Sequence, residues 1–131
     1  MKLVIVTGSR HWADYDAICD VLAEAQPNIV MHGDAKGADA LAAEFVARTS
    51  GPDRAALAMP AQGDRDGKAA GPIRNARMIE VAVAMQACGW RVEVQAFPLP
   101  GSRGTVDMME RCKRAGFSVI DHGSRTVVWT G

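Results

Sequence analysis

Short, densely apolar runs alternate along the chain with longer stretches in which apolar positions recur every three or four residues. Leu3, Val4, Ile5 and Val6 are apolar on both strand faces, which predicts a central parallel strand over residues 2–7. Asp14 is placed to cap a helix in which Ile18, Val21, Leu22 and Ala25 share one face through Gln26, and Pro27 stops it. A second strand over residues 28–32 turns at Gly33 into a helix over residues 38–48, with Ala38, Leu41, Ala42 and Phe45 inward. Ser50-Gly51-Pro52 closes that unit. Residues 54–59 read as a third strand, followed by a polar, glycine-containing loop over 60–71, of a length more often functional than idle.

The next helix spans residues 72–88 and has proline in its first turn, where a missing N–H costs nothing. Its half from Met78 onward is apolar nearly all round, which predicts burial on two sides, one against the sheet and the other against a second copy. Residues 91–97 form a fourth strand and 99–104 a glycine-rich turn. Thr105, Met108, Met109 and Cys112 make another helical stripe, and residues 117–120 and 126–129 are final strands. Strand and helix in alternation predict an α/β fold, a doubly wound, mainly parallel sheet with helices on both faces. No repeat, low-complexity tract or linker divides the chain, so residues 1–131 are read as one domain.

Composition narrows the function classes. Lys plus Arg equals Asp plus Glu at 15 each, removing the long-range field of a nonspecific nucleic-acid or anionic-membrane binder. Aromatic residues at 5% are too scarce for a single-strand stacking platform, so neither nucleic acid nor membrane is an expected partner. The longest uncharged apolar stretch, Val81 to Trp90, is too short to cross a bilayer, and the apolar start breaks off without the cleavage region of a secretion signal. Cys19, Cys88 and Cys112 are odd in number and far apart, so neither a disulfide framework nor a metal site is expected, and a reducing cytoplasm is the expected location.

In open α/β sheets the ligand site lies beyond the carboxyl ends of the strands. Three polar turns fall there: Gly8-Ser9-Arg10, the stretch 33–39, and the stretch 100–105. Each precedes a helix, so backbone N–H groups and positive helix ends face a common anion, with Ser9, Ser102 and Thr105 adding hydroxyls. Glycine at Gly33, Gly37, Gly101 and Gly104 lets a phosphate approach the backbone. Neither a dinucleotide fingerprint nor a Walker-type loop is present, which disfavours ATPase activity.

Arg10 and Arg74 are the cations expected on phosphate or ribose oxygens, since a guanidinium binds such groups through paired hydrogen bonds. Asp34 and Asp39 are candidates for ribose hydroxyls, Asp39 equally for capping the helix that begins beside it. Lys36 and Lys68 either close over the ligand or stay solvated, and Trp12 either stacks on a base or packs at the rim. Of the three histidines, His32 alone is a candidate pocket donor, with a structural hydrogen bond as its other reading. No nucleophile and base form an evident pair, and Cys112 reads as buried.

Val6-Thr7-Gly8-Ser9-Arg10 with Trp12, then His32-Gly33-Asp34-Ala35-Lys36-Gly37-Ala38-Asp39, then Gly71-Pro72-Ile73-Arg74-Asn75 with Met78, and Gly101-Ser102-Arg103-Gly104-Thr105 together resemble the YspA-like branch of the SLOG superfamily. The resemblance runs from residue 3 to about 120 and implies a Rossmann-like single domain that binds a phosphorylated nucleoside or nucleotide-derived small molecule, without a resident cofactor. The related LOG-type phosphoribohydrolases cleave nucleoside monophosphates at the N-glycosidic bond using an Arg-Lys-x-x-Met block and Pro-Gly-Gly-x-Gly-Thr-x-x-Glu. Arg74, Met78, Pro100, Gly101, Gly104 and Thr105 match these blocks, while Asn75 replaces the lysine and Ser102 a glycine. The closing glutamate falls on Met108, and Asp107 is the nearest substitute as an acid/base, turned roughly 100° around a helix by the one-residue shift. Arg74 and Asp107 are thus the catalytic candidates if a glycosidic bond is cleaved, and a noncatalytic nucleotide sensor or a DNA-handling protein like DprA are the alternatives. A homodimer or higher homo-oligomer is expected, because in LOG-like relatives a partner subunit can complete the pocket.

Overall fold

The structure is a computed structural model and describes residues 1–49 and 51–123. Five strands form one wholly parallel sheet: β1 (Lys2–Gly8), β2 (Ile29–His32), β3 (Ala55–Ala58), β4 (Arg91–Phe97) and β5 (Val119–Asp121). Their spatial order is β3-β2-β1-β4-β5. β1 lies at the centre, Ile5 opposite Met31 of β2 on one side and Val94 of β4 on the other. Its four apolar residues Leu3 to Val6 are completely buried, as its unbroken hydrophobic run requires.

The helices are α1 (Tyr15–Ala25), α2 (Ala38–Arg48), α3 (Gly63–Asp66), α4 (Ala70–Ala87) and α5 (Arg103–Arg114). Strand alternation assigns them to two faces. Val4, Val6 and Val30 pack with Ile18 and Leu22 of α1 and Phe45 of α2, whereas Leu3, Ile5, Met31 and Val94 pack with Met78 and Ala82 of α4 and Met108 and Cys112 of α5. Burial pushes the Cys112 thiol up to about 12, so it serves as an apolar filler. The doubly wound architecture expected from the alternating pattern is the one observed.

Asp14 caps α1, its Oδ1 accepting from Ala17 N at 3.1 Å. Two expectations need correction. The stretch 60–71 is not irregular, since α3 and a 3₁₀ turn over Gly67–Ala69 lead straight into α4, which begins two residues before Pro72. The distal half of α4 buries Met78 and Ala82 against the sheet, as expected, while Val83, 44% exposed, and the exposed Ala84, Ala87 and Cys88 leave open the side expected to meet a second copy. The last-but-one strand is shorter and later than expected, and the strand expected at 126–129 lies outside the described residues. Among the described residues, no helix is long and apolar enough to cross a membrane.

Candidate functional site

The chain leaves β1 toward one face of the sheet and β4 toward the other, which opens a crevice at the carboxyl ends of these neighbouring strands. A cavity of about 440 Å³ occupies it. Its walls are the turn after β1, the start of α2, the first turns of α4, and residues 99–105 at the start of α5.

Ser9 ties these walls together. Its N–H donates to Phe97 O at 3.0 Å, joining the ends of β1 and β4, while its carbonyl accepts from Trp12 N and from Ala38 N, both at 3.1 Å. Its hydroxyl oxygen accepts from His11 N at 3.0 Å. Gly37 makes the contact with α2 possible: φ is 74°, and a Cβ there would lie 2.2 Å from Ser9 O.

Below this turn, Asp39 and Arg74 are mounted on one glycine. Gly33 N donates to Asp39 Oδ2 at 3.1 Å, and Ala35 N donates to the same oxygen at 3.3 Å. The carbonyl of Gly33 accepts from the Arg74 guanidinium, whose Nε donates to Asn75 Oδ1 at 2.9 Å. Burial pushes the Asp39 carboxyl up to about 6, against the lowering effects of the two amides and the Arg74 charge. The same burial lowers His32 below its ordinary value, and its Nδ1 accepts from Asp34 N at 3.0 Å, so it fixes the loop as a neutral ring.

The opposite wall is the N-terminus of α5. Ser102 stands at its cap without capping it, its Oγ accepting instead from Leu99 N at 3.2 Å. Arg103 N and Val106 N are satisfied by Gly101 O and Ser102 O, which leaves the amides of Gly104 and Thr105 donating to no protein group among the described residues. Asn75 fastens this turn to α4, its Nδ2 donating to Gly104 O at 3.3 Å and to Asp107 Oδ2 at 3.0 Å.

Among the expected site residues, Gly8, Ser9, Arg10, Asp39, Arg74 and Asn75 line the cavity, as do the five from Gly101 to Thr105. Gly33 and Gly37 lie behind the lining as mounts for Arg74 and the Ser9 turn, and neither they nor the exposed Asp34 and Lys36 are part of it. Trp12 is turned inward: it packs edge-on against Phe97 at 5.2 Å and its Nε1 donates to Asp14 O, so its face is not offered to a base. Asp107 does not line this cavity. Burial pushes its carboxyl up, but hydrogen bonds from Asn75 and Arg111 and the charges of Arg111 and Arg114 outweigh this and hold it below the ordinary value. An ionised carboxylate occupied on Oδ2 by two donors is poorly suited to give a proton. His11 lines the cavity unforeseen, its one sequence signal being adjacency to Arg10.

A family model for the YspA, cpYpsA-related SLOG family matches residues 2–56, the segment carrying the Ser9 turn, Gly33, Gly37 and Asp39. The Gene 61 protein of Mycobacterium phage D29 is 33% identical over 132 residues, an alignment covering 95% of this chain and 99% of that protein.

Proposed function

This chain belongs to the YspA, cpYpsA-related SLOG family, and from that premise and the chemistry of the cavity we propose that it binds a phosphorylated nucleoside or nucleotide-derived small molecule at the carboxyl ends of the strands. The observation that carries this reading is the pair of unanswered amides, Gly104 and Thr105, at the positive end of α5 on a cavity that Arg10 and Arg74 also line. The first N–H groups of a helix have no intrahelical acceptor, and a phosphate oxygen supplies one together with the charge that a helix N-terminus favours. The cavity volume of about 440 Å³ falls within the range of small-molecule sites.

Binding without turnover is the preferred form of this reading, because Asp107 is engaged with Asn75 and Arg111. Two copies associating through the exposed apolar side of α4 belong to the same proposal, checked by light scattering. Titration calorimetry with inorganic phosphate and the nucleoside 5′-monophosphates tests the binding, and chromatography of the same mixtures for free base tests the turnover. Saturable binding with no base released is the expected result. The absence of heat with all of these anions would remove the reading.

A further inference from the structure

Asp39 is the one carboxylate among the described residues that line the cavity, and its two oxygens are used unequally. Oδ2 is pinned by the amides of Gly33 and Ala35, which fixes the plane of the carboxyl group. Oδ1 takes no hydrogen bond among the described residues, although the residue is only 6% exposed. An acceptor open to the cavity, held in a fixed orientation and left unmatched among the described residues, is a place for a donor on a ligand.

The surrounding charges say which donor. Arg74 on α4 and Arg10 on the turn after β1 line the same cavity, so a cationic donor would be repelled there. Asp34 and the neutral ring of His32, both from the end of β2 and the loop after it, add no positive charge. An anionic group is drawn to the free amides of α5. The cavity is therefore bipolar, suited to a ligand with an acidic head and a body carrying neutral donors.

We propose that Asp39 is the specificity-determining residue of this cavity, its open oxygen accepting a hydroxyl hydrogen from the sugar of a ligand whose phosphate lies on the amides of Gly104 and Thr105. This rests on the anion-site reading above and adds to it the requirement for a free sugar hydroxyl. A hydroxyl bonded to a charged acceptor typically contributes one to two orders of magnitude in affinity.

The test is calorimetry on the full chain at pH 7.5 with inorganic phosphate, the four ribonucleoside 5′-monophosphates, and their 2′,3′-dideoxy counterparts. The expected result is that the best ribonucleotide binds about tenfold or more tightly than its dideoxy form. In Asp39→Asn that gap falls to about twofold. The variant keeps an oxygen to accept from Gly33 and Ala35, and thermal unfolding reports whether it folds. Should it not fold, the unaltered chain gives the same information: at pH 5 the carboxyl, raised to about 6, gains a proton and the gap narrows. Equal affinities for ribo and dideoxy ligands, or an undiminished gap in Asp39→Asn, would overturn the role of Asp39 and leave the anion site standing. Failure of phosphate and all the nucleotides to bind would overturn both.

Discussion

A side chain at Gly33 and the guanidinium of Arg74 compete for one space: a Cβ on residue 33 would sit 2.1 Å from Arg74 Nη1 and 3.0 Å from Asp39 Oδ2. The obstacle is the far end of a flexible side chain, so Gly33→Ala displaces Arg74 rather than the backbone. The expected outcome is a stability within about 1 kcal/mol of the unaltered protein and an anion affinity lower by about tenfold or more. Thermal unfolding and phosphate titration on the same sample check both halves. Unchanged binding would mean that Arg74 does not serve the anion.

Gly37→Ala should behave in the opposite way. Here the added Cβ meets backbone, 2.2 Å from Ser9 O, at a residue with φ 74° and ψ −127°, a region closed to residues with a side chain. The expected loss is about 2–4 kcal/mol, a fall in Tm on the order of 10 °C. Gly101→Ala is the control: φ is 84° but the space around it is open, so its cost should be limited to about 1–2 kcal/mol of backbone strain. Equal losses at the two positions would show that the contact with Ser9 does not matter.

These glycines mark the boundary of what was legible in the sequence. Local periodicity sufficed for β1, for the stripe Ile18, Leu22 and Ala25, and for Met108 and Cys112, because burial of one face is written at fixed spacing. It failed at α3 and the 3₁₀ turn, which bury no residue and so carry no apolar period. Polar turns at strand ends located the cavity, yet the sequence could not separate the lining from its mounts. That distinction depends on partners far along the chain: Arg74 decides the role of Gly33, and Phe97 decides which way Trp12 turns.

Asp107 provides a test of positioning against acid/base chemistry. Its Oδ2 accepts from Asn75 Nδ2 at 3.0 Å, which orients the amide so that Asn75 Oδ1 receives Arg74 Nε. Asp107→Ala leaves that amide held only by Gly104 O at 3.3 Å and should weaken phosphate binding about three- to tenfold. Asp107→Asn retains an oxygen for Asn75 Nδ2 and should recover most of the loss, although it has no proton to exchange. If the asparagine variant were as impaired as the alanine one, the negative charge and not the orientation would be the contribution of Asp107.

The raised carboxyl of Asp39 makes a prediction about folding that needs no ligand. In the unfolded chain it titrates near 3.8, and in the folded chain at about 6. Between these values the native state holds the proton that the unfolded state has lost, so stability from this group is full below pH ~4 and declines as pH rises through 6. His32 acts in the opposite sense: lowered by burial, it contributes above its ordinary value of 6.5 and loses that contribution as pH falls. A plain pH profile mixes the two, whereas the difference between Asp39→Asn and the unaltered protein largely cancels the histidine. That difference should rise from pH 4 to pH 6.5 in favour of the variant and then level off. Two pK units correspond to about 3 kcal/mol, and 2–3 kcal/mol is roughly what the plateau should reach. Urea denaturation at half-unit pH steps measures it. A flat difference would mean that the carboxylate is as well solvated on the cavity floor as in the unfolded chain, and its open oxygen would then need no ligand to satisfy it.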